Sequence, residues 1–331
     1  MAFERMQGPV AIRGRMARPE DALALLGFLE CFLWRRDVGA TLWAEPVARH
    51  LRAGSLRGGM IEEIHGQDNG SILLSAVGFS AFVTDRAVAA LMEAGRPEGA
   101  LDMLGRVCSG EDGLLLKEAE IAAANGGEGL NLMVLGFAHR YENPDDPNCR
   151  ALLARAIAHF VEAHSGFNLR QIVREDPEPV ASVLISSGMR EVARYPLPGV
   201  EFVVTHRRRD DDLPLFPDSI TAQLMAHSPP IIRFSAAQRA LLELACDAMT
   251  DDDIAETLGL SINTVKRTWK LIYDRVADRA PQVMMGRALG HGSSPGRGTE
   301  KRRHLISYLK QHPQELRPIA DRAVPRGTGP F

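Results

Sequence analysis

Three residues near the carboxyl end, Ala255, Gly259 and Val265, have the spacing that two helices need in order to cross closely over a short turn. Ala255 allows the helices to approach, Gly259 takes the left-handed turn between them, and Val265 packs the second helix against the first. Thr250 and Ser261 have side chains suited to capping the two helix starts. The pattern therefore predicts an all-α domain with a helix-turn-helix.

The outer face of the second of these helices carries cations and small polar side chains, while its inner face is apolar. A helix presented in this way fits the major groove of double-stranded DNA. Arginine and lysine bind guanine edges or phosphates there, and hydroxyl and amide groups hold phosphate oxygens. The predicted DNA-binding residues are Ser261, Asn263, Thr264, Lys266, Arg267 and Lys270.

The stretch DIAETLGLSINTVKRTWKLIY resembles the DNA-binding domain of the LuxR/GerE family. The resemblance covers about 45–55 residues and implies a fourth, dimerising helix near 280–289. The chain departs from the family pattern at Asp253, Thr268 and Trp269, where the family has Glu, His and Leu, and in a longer loop before Thr250. These departures affect the base contacts more than the fold. Two alternatives stay open: an ordinary helical bundle, and region 4 of a sigma factor.

Charge is divided unevenly along the chain, although the net charge of the 331 residues is only -3. Residues 231–331 contain 16 Lys+Arg against 11 Asp+Glu, and the remainder contains 23 against 31. A basic end on an acidic body is typical of a protein that contacts a polyanion. The four cysteines show no C-x-x-C spacing, which indicates free thiols in a reducing cytoplasm.

Strand and helix patterns alternate in the part of the chain before residue 206, and we interpret it as an α/β domain. Apolar runs bounded by turn residues predict strands, and apolar residues at helical spacing predict helices. Strands are predicted at 71–79, 130–137, 168–175, 189–195 and 200–206, and helices at 150–164 and from Pro177 or Pro179 to Ile185.

Two patches, AIRGRMARPEDALALL and FNLRQIVRE with ISSGMREVARYPLPGVEFVV, resemble the framework of GNAT acyltransferases. The resemblance implies a mixed sheet with helices, and a loop of the form Q/R-x-x-G-x-G/A whose amides hold the pyrophosphate of acyl-CoA at a helix start. The corresponding segment here, HRYENPDDPNCRALL, has no glycine and contains Glu142, Asp145 and Asp146. This segment implies that the chain keeps the GNAT framework but has lost the catalytic activity.

We therefore expect a cytoplasmic, sequence-specific transcriptional regulator that is not an enzyme. The predicted divisions are an α/β sensory or interaction domain at 1–206, a linker at 207–230, the LuxR-type domain at 231–290, and a basic tail at 291–331. The expected partners are double-stranded DNA, a second copy of the chain, and a small-molecule or acyl-CoA-like effector, with no membrane. We expect no catalytic residue, no cofactor and no metal site. The alternative is a GNAT-like acyltransferase with an appended DNA-binding domain.

Overall fold

The computed structural model describes residues 11–32, 40–66, 70–197, 199–212, 215–285 and 298–320. It divides into two compact units. The first comprises 1–121, 128–164 and 169–225, and the second comprises 122–127, 165–168 and 226–331.

The first unit is built on a seven-stranded mixed sheet in the order β1-β2-β3-β4-β5-β7-β6. Every neighbouring pair is antiparallel except β4 and β5 in the centre, which are parallel. The predicted mixed α/β architecture is confirmed. The strands are β1 (Ala11–Met16), β2 (Leu56–His65), β3 (Ser71–Val83), β4 (Leu130–His139), β5 (Leu169–Pro177), β6 (Arg190–Leu197) and β7 (Val200–Arg208).

Helices cover the sheet and form a three-helix insertion between β3 and β4. Apolar side chains of several of these helices and of one sheet face form a continuous core that includes Leu25, Phe79, Leu104 and Leu135. A smaller cluster on α6 and the other face includes Leu152 and Ile61. The helices are α1 (Ala22–Phe32), α2 (Ala40–Arg52), α3 (Asp85–Met92), α4 (Gly99–Cys108), α5 (Glu118–Asn125, of which residues 122–125 are grouped with the second unit), α6 (Pro147–His164), α7 (Glu178–Ser186) and α8 (Ile220–Met225), with a short 3-10 helix at Pro19–Asp21.

Two predicted divisions of the chain differ from the structure. The predicted linker at 207–230 contains the end of β7 and all of α8, whose Thr221 and Leu224 are buried. The predicted tail from 291 contains a helix whose Leu305 and Leu309 are buried in the core of the second unit. Apolar side chains in both segments find partners, and this outweighs their proline and charge content.

The second unit contains α9 (Ala236–Cys246), α10 (Asp251–Leu258), α11 (Ile262–Arg279), α12 (Gln282–Met285), α13 (Gly298–Gln311) and a 3-10 helix at Pro313–Leu316. The caps predicted at Thr250 and Ser261 are confirmed, because each side chain accepts a backbone amide at a helix start, and Ser235 does the same at the start of α9. Gly259 ends α10 with φ 63°, in the left-handed region. The predicted fourth helix at 280–289 is described only at 282–285, and residues 286–290 lie outside the described part.

None of the described helices combines the length and the apolar character that spanning a bilayer requires.

Candidate active site

The two parallel strands at the centre of the first unit stay paired only over their first residues. β4 and β5 pair from Leu130 opposite Leu169 to Met133 opposite Val173, with one register shift directly after Leu130. Beyond that point β4 continues on β3 as far as His139, and β5 continues on β7 as far as Pro177. The strands therefore diverge at their carboxyl ends and leave two facing strand edges with no ladder between them.

The open end of this gap has space beside β4. A β-bulge interrupts the β3–β4 ladder between Phe79 and Ser80, and Leu135 is the unpaired residue. A Cβ built on Gly136 would meet no heavy atom within 4 Å. Bulges redirect a strand and are common beside functional sites. Gly136 therefore borders open space where β4 leaves β5.

Glu175 stands on β5, two residues beyond the last paired position, Val173. The two side chains share a face of the sheet because they are two apart on a strand. Glu175 Oε1 accepts the backbone amide of Glu98 at 2.6 Å, and Oε2 accepts that of Ala100 at 2.9 Å. Burial raises the pKa of Glu175, and the two amides oppose that rise. The edge of the gap thus has a carboxyl group whose pKa is raised by burial and whose two oxygens are held by backbone amides.

A buried ion pair occupies the neighbouring positions of β5. Arg174 binds Asp176 through both Nε (2.9 Å) and NH2 (2.7 Å). The guanidinium of Arg174 also stacks on the ring of Phe160 in α6, 5.6 Å from its centroid. Arg174 and Asp176 neutralise each other. The pair therefore has a positioning role, and the contact of Arg174 with Phe160 holds β5 to α6.

The segment between β4 and α6, where the family resemblance implies a phosphate-binding loop, is organised by its own acidic and amide side chains. Asn143 Oδ1 accepts the amide of Asp145, and Asp146 Oδ1 accepts the amide of Asn148 at 2.8 Å. A side-chain carboxylate thus holds an amide at the start of α6, where a phosphate would need to bind. The residues present at the start of α6 therefore do not fit a pyrophosphate.

Tyr141, in the same segment, reaches back to a carboxylate on β2. Its hydroxyl donates to Glu63 Oε1 at 2.6 Å, and the hydroxyl of Ser75 donates to Glu63 Oε2 at 2.6 Å. Glu63 is fully buried. Burial is the main cause of the raised pKa of Tyr141, with the carboxylate of Glu63 adding to it. The phenol therefore stays protonated and fixes the start of the segment.

The side chains predicted to bind DNA are all exposed along the start of α11, while Val265 and Trp269 of the same helix are buried. Within the described residues, Lys266, Arg267 and Lys270 make no ion pair. The structure brings these residues together on one helix, and their role remains a prediction. They are Ser261, Asn263, Thr264, Lys266, Arg267 and Lys270.

Glu175 and Gly136 are the site residues that the sequence prediction missed. In the sequence, Glu175 could be noticed as an acidic residue at the end of a predicted, largely apolar strand. No sequence pattern indicated that α4 packs against it. Among the described residues no group of three or more His, Cys, Asp or Glu side chains is arranged to hold a metal ion.

No family model matches the chain, and no curated protein matches it. Among solved structures it is similar to NAA60 of Arabidopsis thaliana in complex with acetyl-CoA, at 12% identity over 60% of this chain and 99% of that one, with a TM-score of 0.35. It is also similar to the ribosomal-protein-S18-alanine N-acetyltransferase of Escherichia coli, at 10% identity over 59% and 93%, with a TM-score of 0.28. A third is a Desulfovibrio desulfuricans protein assigned to the GNAT acetyltransferases, at 13% identity over 60% and 99%, with a TM-score of 0.32.

These matches contradict two expectations from the sequence. We expected a chain that is not an enzyme, and this is wrong, because the matched structures are acetyltransferases. We also expected a transcription regulator of the LuxR family, and this is wrong on the same comparison, since none of the three structures is a DNA-binding regulator. Likeness at 10–13% identity concerns the fold alone, so the chemistry of the site is argued from this chain's own residues.

Proposed function

We propose that the first unit is an acyltransferase that takes an acyl-CoA or a related pantetheine thioester between β4 and β5. The observation that carries the proposal is the divergence of the two strands after Met133 and Val173, with open space at Gly136 and a half-buried carboxyl group at Glu175. Strand edges without a partner bind extended chains that contain amides, because such chains complete the ladder. A pantetheine arm is a chain of this kind.

In the proposed reaction Glu175 accepts a proton from the amine of the acceptor. The amine nitrogen attacks the thioester carbonyl, a C–N bond forms, and the C–S bond breaks. The leaving thiolate takes a proton from solvent. Burial raises the pKa of Glu175, and a carboxylate with a raised pKa is a stronger base than an exposed one.

The phosphates of the donor have no prepared site at the start of α6. Asp145 and Asp146 lie in the segment that leads into that helix, and Asp146 already engages the amide of Asn148. We therefore expect acetyl-pantetheine to bind the chain about as tightly as acetyl-CoA does.

Calorimetric titration of the full chain with each thioester tests the proposal. We expect saturable binding of both donors, and at least about tenfold weaker binding in Gly136→Phe, whose ring occupies the open space. Gly27→Ala is the control, because Gly27 also has open space around it but lies on α1. Absence of saturable binding by either donor would overturn the proposal.

The role of Glu175 has a separate test. We expect Glu175→Gln to lower kcat for thiol release in the presence of an amine acceptor and to remove the rise of kcat with pH, while the Kd of the donor changes little. An unchanged pH profile would exclude Glu175 as the base and leave it as a residue that positions α4.

As a second proposal, the exposed start of α11 contacts double-stranded DNA, and α10, Gly259 and α11 act as a helix-turn-helix. Its support is the set of exposed cations Lys266, Arg267 and Lys270, which make no ion pair with any residue that the structure describes. The proposal concerns binding alone and does not restore the expectation of a transcription regulator. Fluorescence anisotropy with a 30-base-pair duplex tests it. Lys266→Ala with Arg267→Ala should weaken binding, about 1–3 kcal/mol for each lost base contact, and an unchanged Kd would contradict it.

A homodimer stays a prediction that belongs with this second proposal, because one such helix contacts one half of a symmetric site. Sedimentation equilibrium of the full chain measures it.

A further inference from the structure

We propose that the first unit has a second binding site, for a small organic anion with an apolar body, between α3 and the adjoining ends of β5 and β7. A cavity of about 630 Å³ lies there, a volume typical of small-molecule sites. It is independent of the proposed acyltransferase site, since it lies where β4 and β5 are paired. Its lining residues are Asp85, Val88, Ala89, Met92, Arg170, Gln171, His206, Arg208, Arg209 and Asp210.

The polar wall of the cavity is fixed by a chain of hydrogen bonds. His206 Nε2 donates to Gln171 Oε1 at 2.8 Å, and Gln171 Nε2 donates to Asn131 Oδ1 at 2.7 Å. Asn131 Nδ2 donates in turn to Asp85 Oδ1 at 2.8 Å. Gln171 and Asn131 are each only 4% exposed. Because each member holds the next, the wall has one orientation before any ligand binds.

The cations around the cavity are not equivalent. Arg170 is neutralised by an ion pair with Asp85. Arg209 donates to the carbonyl of Leu169. The guanidinium of Arg208, by contrast, is exposed and has no ion-pair partner within the described residues. Arg208 is thus the cation available to an anionic ligand.

The other wall belongs to α3 and is apolar. Val88 is buried, and Met92 is half-buried at the cavity. A ligand that neutralises Arg208 therefore places its remaining atoms against a hydrocarbon surface. Asp210 at the cavity disfavours a second negative charge on the ligand. These features together select a monoanion, such as a carboxylate, on an apolar body, over a free inorganic phosphate.

Calorimetric titration of the full chain with 2-naphthoate, and in parallel with inorganic phosphate, tests the inference. We expect saturable naphthoate binding that Arg208→Gln weakens about tenfold or more and that Met92→Gln also weakens. Arg52→Gln is the matched control, since Arg52 is an exposed arginine of the same unit on α2, and it should leave the Kd unchanged.

Three results would overturn the inference: no saturable naphthoate binding, a Kd that Arg208→Gln leaves unchanged, or phosphate bound as tightly as naphthoate. The outcome is separable from that of the acyltransferase proposal, because Gly136→Phe should leave naphthoate binding intact while Arg208→Gln should leave acetyl-pantetheine binding intact.

Discussion

The carboxylate of Glu175 accepts the backbone amide of Ala100 at 2.9 Å, although the two residues stand 75 positions apart. The same carboxylate accepts the amide of Glu98, so one strand residue satisfies two donors at the start of α4, where Glu98 provides no side-chain cap. A helix start leaves amides without intrahelical partners. Glu175 therefore links the inserted helix to the edge of the gap.

Glu175→Ala should lower the free energy of unfolding of the first unit by about 1–3 kcal/mol, because two partly buried amides lose their acceptor. Urea unfolding followed by circular dichroism measures it. Glu191→Ala is the control, since Glu191 bonds to Arg194 on the exposed surface of β6, and it should change the value by less than about 1 kcal/mol. An equal effect of the two variants would contradict the role of Glu175.

Gly14→Ala should destabilise the first unit. A Cβ at Gly14 would lie 2.6 Å from Cγ of His159, which packs from α6 onto β1. Overpacking of this kind costs about 1–3 kcal/mol. Gly27→Ala should do the opposite and stabilise α1 by about 0.5–1 kcal/mol, because its Cβ meets no neighbour and alanine restricts the unfolded chain. Thermal unfolding of the two variants gives shifts of opposite sign, and a lower Tm for Gly27→Ala would refute the reasoning.

Arg302→Ala should destabilise the second unit by about 1–2 kcal/mol. Arg302 donates to Asp251 Oδ1 at 2.7 Å and stacks on the ring of Trp269, 4.6 Å from its centroid. Trp269 Nε1 donates to the same oxygen at 3.1 Å. Unfolding followed by tryptophan fluorescence measures the change. Arg303→Ala, at the exposed neighbouring position on α13, should have little effect, and equal effects would argue against the contact.

Stability of the first unit should fall as the pH drops through about 6.5. Burial lowers the pKa of His159, with Arg155 adding to the effect. Just below the ordinary histidine pKa the unfolded chain binds a proton that the folded chain does not bind. The free energy of unfolding therefore decreases as the pH falls through this window and increases as the pH rises. Unfolding titrations between pH 5 and 8 should show a smaller slope in His159→Asn. His304→Asn is the control, and a slope unchanged in His159→Asn would exclude His159 as the source.

The sequence by itself determined the local elements of this protein. Thr250 and Ser261 set helix starts through their own side chains, and Gly259 sets a helix end through a left-handed φ that glycine adopts freely. The apolar run at Leu130 and its neighbours likewise predicted β4. These features depend on residues within one or two turns of each other, so a linear pattern contains them.

Only the tertiary structure decided the site. The gap exists because β4 keeps β3 as its partner while β5 keeps β7, and pairing between distant strands has no local signal. Glu175 is a half-buried acceptor because α4, from an insertion far away in sequence, sets its first amides against it. The helix α13 joins the core of the second unit because Leu305 and Leu309 find apolar partners there. In each case the elements had a pattern in the sequence, but the partners against which they pack are remote in sequence, and no linear pattern specifies those partners.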